Sequence, residues 1–189
     1  MTTQTNHIPG NIREAKAIGS IAMVFVLVSF SMLFATLFMG YAALRNNAPV
    51  WPPMGMDNLP LMLPVMSTVL IGLSSLTWLK FEQSFKPIWV WLTLALGLGF
   101  TGSQFALWAN LKQQGIFANT GVFASIIYTF TWIHVAHIAL AIVLLMWPIY
   151  WSRKNIVNDV RAVKIVSIGK FWHFLGLIWG VMFVTLFVL

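Results

Sequence analysis

The stretch Thr129–Trp147, TFTWIHVAHIALAIVLLMW, decides the fold. It is apolar nearly throughout and approaches the roughly 20 residues that a helix needs to cross a bilayer. His134 and His137 are its only ionisable side chains. Extended outward, the charge-free run reaches from about Gly121 to Trp151. Further runs of this kind are Ala17–Leu44, Asn58–Leu79, Pro87–Leu111 and Phe171–Leu189. The fold class implied is an all-α polytopic membrane protein, a single bundle of five transmembrane helices. Spans are expected at about 17–44, 59–79, 88–111, 122–151 and 168–189, after a polar N-terminal tail of residues 1–16.

Composition agrees with this. Of 189 residues, 59% are hydrophobic and 8% charged, where a soluble domain carries about 25% charge. There is no cysteine, which excludes disulfides, thiolate metal sites and thiol nucleophiles. The net charge of +7 is not a nucleic-acid signature, because the basic residues sit in the gaps between apolar runs, where they set topology. The first run is much longer than the apolar core of a secretory signal, about 7–15 residues, so it reads as a retained span.

Orientation follows from Lys and Arg. With the N-terminus inside, Arg13, Lys16, Lys80, Lys86, Arg153, Lys154, Arg161, Lys164 and Lys170 lie inside, and only Arg45 and Lys112 outside. The positive-inside rule selects this arrangement, with the C-terminus and the loop Arg45–Asp57 outside. Pro49, Pro52 and Pro53 stiffen that loop, and Trp51 is expected as an interfacial anchor. Pro60 is expected to open the second span and Pro64 to kink it. Pro87 is expected to open the third span and Pro148 to close the fourth. The inner loop Ser152–Ser167 alternates basic and apolar residues and is expected to lie on the anionic leaflet.

Small residues permit close backbone approach between helices in lipid. Candidate packing positions are Gly99, in the series Ala95, Gly99, Ser103, and Gly176 with Gly180 on the fifth span. Seven tryptophans, among them Trp108 and Trp172, fall near expected span ends and read as an aromatic belt.

His134, His137 and Thr131 share a polar arc of about 120° on one helical face. Polar groups at that depth cost free energy unless they meet protein, headgroups or water. The readings open to them are helix packing, lipid contact, a haem or metal ligand, or a proton relay. A haem between His137 and His173 is disfavoured, because a fifth span beginning near residue 168 puts His173 at a shallower depth. A dinuclear metal centre would also need carboxylates. Glu14, Asp57, Glu82 and Asp159 all fall outside the expected spans. The same lack weakens a proton-pump or cation-transport reading. No catalytic site is evident in the chain.

Three stretches together resemble subunit III of the haem–copper oxidases. They are Trp51-Pro52-Pro53 through Leu63-Pro64 to Ser74-Ser75-Leu76-Thr77-Trp78; Gly121-Val122-Phe123 through Ile133-His134-Val135-Ala136-His137, similar to the family pattern FHGLH; and Phe171-Trp172-His173-Phe174 followed by Trp179. Gln104 also fits. The resemblance covers about residues 17–189 and implies a five-helix form. It implies a non-catalytic subunit that packs beside catalytic subunit I of a respiratory terminal oxidase, stabilises it and binds phospholipid. It further implies no cofactor in this chain, with haem and copper in partner subunits, and a bacterial cytoplasmic membrane as the location. By carry-over, His134, His137, Arg153, Trp172 and His173 become candidate lipid or helix contacts. Three acids frequent in the family are absent; their positions fall near Ser29 or Phe30, at Leu107 and at Gly176. Alternatives are an accessory subunit of a nitric oxide reductase or quinol oxidase and, from other classes, a stand-alone small transporter or a membrane haem enzyme.

Overall fold

The structure, a computed structural model, describes residues 10–51 and 61–188. Among the described residues, five helices are long and apolar enough to cross a membrane. They are α1 (Gly10–Asn47), α2 (Met62–Ser84), α3 (Pro87–Gln113), α4 (Val122–Arg153) and α5 (Asp159–Phe183), which widens into a π-helical turn, Val184–Val188. Pro52, Pro53, Asp57 and Pro60 lie outside the described residues.

Several boundaries differ from those expected. α1 starts at Gly10, so residues 10–16 extend the first helix rather than forming a tail. Arg, Glu, Ala and Lys are all good helix formers, which favours this extension. α5 starts at Asp159, well before residue 168. The Asn158 side chain accepts the Arg161 backbone N–H at 2.9 Å and caps the helix, and Asp159 in the first turn suits the helix dipole. The surface-lying loop expected at 152–167 is therefore a short connector followed by two helical turns. Ile165, Ile168 and Gly169 of that region are buried against the bundle.

The prolines are sorted by the same logic. Pro87 opens α3, after Phe85 in the left-handed region and extended Lys86. Pro64 stands in the first turn of α2, where helix N–H groups have no partner in any case, so the expected mid-helix kink has no basis there. Pro148 does not close α4; it lies buried within the helix, which runs on to Arg153.

In the bundle, α5 is the hub and touches α1, α2 and α4, while α3 closes the ring by packing on α2 and α4. α1 leans on the outside of α5 and α4. Among its described residues only Phe34 and Tyr41 are buried. Its outward face, including Ile21, Phe25, Met32 and Met39, is exposed. On a membrane protein such a face meets lipid or another subunit.

Candidate functional site

The polar groups of the bundle form rungs between helices. In lipid an unpaired polar group finds no water, so these side chains seek one another. Between α2 and α3, Ser67 and Ser103 hydroxyls meet at 2.7 Å, and Thr77 and Thr93 at 2.8 Å. Gln104 Nε2 donates to Ser67 Oγ at 2.8 Å. Between α2 and α5, Trp172 Nε1 donates to Ser74 Oγ and Trp179 Nε1 to Thr68 Oγ1, each at 3.0 Å. Between α3 and α4, Trp108 Nε1 donates to Thr131 Oγ1 at 2.9 Å. Trp108 and Trp172 are thus buried cross-links, not the interfacial belt expected of them; Trp172 is fully buried. An indole buries a large apolar ring and still carries one donor, and both are used.

Thr131→Val would keep the shape and leave the Trp108 N–H stranded in the core. A buried unsatisfied donor costs about 1–3 kcal/mol. The expected result is a lower thermal midpoint in detergent, largely restored by adding Trp108→Phe. An unchanged midpoint for Thr131→Val would show that this bond does not hold α3 to α4.

His134 sits where α1, α3, α4 and α5 converge. It is fully buried. Its ring lies 6.1 Å from Phe34, 5.8 Å from Phe100 and 5.7 Å from Trp179, centroid to centroid. Neither ring nitrogen has a hydrogen-bond partner. Side chains of α1, α3 and α5 enclose the ring. His137 is half-buried and faces α1, edge-on to Phe30 at 4.3 Å, with Nδ1 at 2.6 Å from the Ile133 carbonyl of its own helix. An aromatic ring of α1 thus meets the imidazole.

His173 is half-buried on α5 with a buried, unpartnered Nε2, and its charged neighbour is Glu82 of α2. The depth difference expected between His137 and His173 largely disappears, because α5 starts earlier. Phe30 touches both His137 and, at 5.5 Å, Phe171. What separates the two imidazoles is direction: His137 looks to α1 and His173 to α2. Glu82 itself lies near the end of α2, inside the helix rather than in a loop, with Oε1 accepting Trp78 Nε1 at 2.7 Å. Among the described residues no three His, Asp or Glu side chains group as they would around a metal ion. Arg153 is exposed in the last turn of α4.

The glycines at the closest approaches are not those singled out from spacing. A Cβ on Gly99 would make ordinary contact with Leu70 at 3.7 Å, and one on Gly176 with Ser75 Oγ at 3.5 Å. At Gly180 nothing lies within 4 Å. The tight positions are Gly97, where a Cβ would be 2.7 Å from Trp172 Cη2, and Gly169, where it would overlap Trp78 Nε1 and Glu82 Oε1. Gly169 falls in the first turn of the expected fifth span, beside Lys170, where spacing alone gives no sign of a packing contact. Gly97 lies among several small residues whose spacing alone does not rank them.

Grooves along α1 open on the surface of the described bundle. One, of about 310 Å³, runs between α1 and α5 and is lined by Ser20, Val163, Val166, Ser167 and Lys170. A second, bordered by Tyr41, Arg45 and Thr185, joins the same helices at their other end. There the Tyr41 hydroxyl donates to the Thr185 carbonyl at 2.9 Å and accepts Arg45 Nη1 at 3.3 Å. The third lies between α1 and α4 beside Gly40 and Ser125.

The sequence model described as cytochrome c oxidase subunit III matches residues 4–189. A protein named cytochrome c oxidase subunit 3 from Thermostichus vulcanus is 29% identical over 177 residues, covering 89% of this chain and 86% of that protein. One of the same name from Alkalihalophilus pseudofirmus is 29% identical over 173 residues, covering 87% of this chain and 84% of its own length. A probable quinol oxidase subunit 3 from Staphylococcus haemolyticus is 26% identical over 196 aligned positions, covering 100% of this chain and 97% of that protein.

Proposed function

The chain belongs to the cytochrome c oxidase subunit III family, and we propose that within a haem–copper terminal oxidase it packs beside catalytic subunit I, stabilises it and holds phospholipid, without an active site of its own. The family match along residues 4–189 carries this reading. The apolar outward face of α1 supports it, as a surface suited to another membrane subunit or to lipid tails. The α1–α5 groove suits a phospholipid: its walls are apolar, and Lys170, Ser20 and Ser167 offer a cation and hydroxyls to a headgroup. The excess of Lys and Arg on one side supports a cytoplasmic N-terminus in a bacterial inner membrane. Relatives named for cytochrome c and for quinol oxidases both align over most of the chain. A subunit that stabilises rather than reacts fits either electron donor.

Gentle detergent purification through a tag on this chain tests the proposal, with a visible spectrum and mass spectrometry of the companions. Haem-bearing oxidase subunits are expected to co-purify, and the chain is expected to be colourless once separated. A chain that emerges alone would sink the reading. Haem retained by the separated chain would overturn the absence of a cofactor.

A further inference from the structure

Among the described residues, Nε2 of the half-buried His173 has no partner, and neither do three atoms in the middle of the bundle: both ring nitrogens of His134 and Oε1 of Gln104. His134 and Gln104 are fully buried. Orphaned groups of this kind are rare inside proteins and mark strain, function or a bound water or ion. Elsewhere in the core, Ser67, Ser74, Ser103, Thr131, Trp108, Trp172 and Trp179 all use their polar atoms. Apart from His173 Nε2, the exceptions belong to two residues, His134 and Gln104.

Helix register puts the orphans at one level. Phe100, Gln104 and Trp108 lie on a single stripe of α3, four residues apart. The two flanking members both touch α4: Phe100 packs on His134, and Trp108 bonds to Thr131. Gln104 lies between them. The Trp108–Thr131 bond fixes the register of these antiparallel helices, so three residues along α4 from Thr131 to His134 bring the chain level with Phe105, next to Gln104. From α2 the same level is confirmed twice. Ser67 accepts from Gln104, and its neighbour Thr68 accepts from Trp179, whose ring packs on His134. Gln104 Nε2 is committed to Ser67 of α2, which leaves Oε1 as the unused end of the carboxamide.

We propose that His134 and Gln104 hold one buried water molecule between them. A neutral imidazole has one N–H donor and one bare nitrogen, and a carboxamide oxygen is acceptor only. Water joins the two: it accepts from the imidazole N–H and donates to Oε1. A metal cation fits poorly, because the pair supplies no negative charge. The bridge completes a polar chain from Ser103 through Ser67 and Gln104 to His134, spanning α3, α2 and α4. It also gives the first histidine of the HVAH stretch a role distinct from that of His137, whose Nδ1 is satisfied within its own helix.

Water-edited solid-state NMR of the full chain in lipid, with ¹⁵N-labelled histidine, tests this directly. The His134 signals are assigned by their loss in His134→Phe. The expected result is rapid magnetisation transfer from an ordered water to the His134 imidazole, and loss of that transfer in Gln104→Leu. A His134 imidazole without water contact, or one whose transfer persists in Gln104→Leu, overturns the proposal. Thermal midpoints supply the second reading. Each single variant strands the other partner and is expected to lower the midpoint by about 2–4 °C. The double variant is expected to lose less than the two singles together. Additive losses would overturn the pairing.

Discussion

Gly169→Leu is expected to push α5 off α2 and to release the subunit from its complex. Even a single carbon on Gly169 would overlap Trp78 Nε1 and Glu82 Oε1. The Glu82 carboxylate is the end of a flexible side chain and can swing aside. The Trp78 indole is fully buried and cannot. Its Cδ1 would lie 2.9 Å from the new atom. Forcing bulk into a packed core costs about 1–3 kcal/mol and on occasion more; a leucine against this backbone approach belongs at the upper end. Gly169→Ala is expected to do less harm than leucine, although its Cβ still meets the Trp78 ring. Gly180→Ala is the control: the site is open, and alanine favours a helix over glycine by about 1 kcal/mol. Its midpoint should equal or exceed that of the wild type. If Gly169→Leu unfolds at the wild-type temperature and stays with its partners, the α2–α5 contact is not where the structure puts it.

Trp172→Ala is expected to be the most damaging truncation. The ring is fully buried between α2, α3 and α5, against Gly97 and Ser74. Large-to-small changes of this size cost about 3–5 kcal/mol, or roughly 10 °C in thermal midpoint for a chain of this length. Most of that loss is packing, because Ser74 Oγ keeps its bond to the Ile71 carbonyl. The partner variant is Gly97→Leu. Alone it destabilises, since its Cβ would stand 2.7 Å from the Trp172 ring. With Trp172→Ala it fills part of the space vacated, so the double variant should be more stable than Trp172→Ala alone. Strictly additive losses, measured by thermal unfolding, would show that the two residues do not share a site.

Much of the resemblance was legible in short motifs, yet the contacts behind them were not. HVAH reads as one polar arc, but its two histidines part company in the bundle. His134 is enclosed by three helices, while His137 turns to Phe30 and Phe34 of α1. Trp172 and His173 are adjacent in sequence and face different surroundings, because neighbours on a helix point about 100° apart. Phe30 at the expected place of an acid, set against His137, could only be noticed once α1 was docked on α4.

Five membrane spans were legible in the chain alone, because charge-free runs of bilayer length admit few other structures. The uneven spread of Lys and Arg and the lack of cysteine were legible there too. Which glycines meet a neighbour most closely, where α1 and α5 begin, and the core cross-links of Trp108 and Trp172 emerged from the packed bundle. Composition sets the solvent a helix prefers, and that is a property of each segment alone. Close approach and hydrogen bonding depend on rotation and register between helices, which in lipid are set by shape and polar pairing rather than by hydrophobicity. No single segment carries that information.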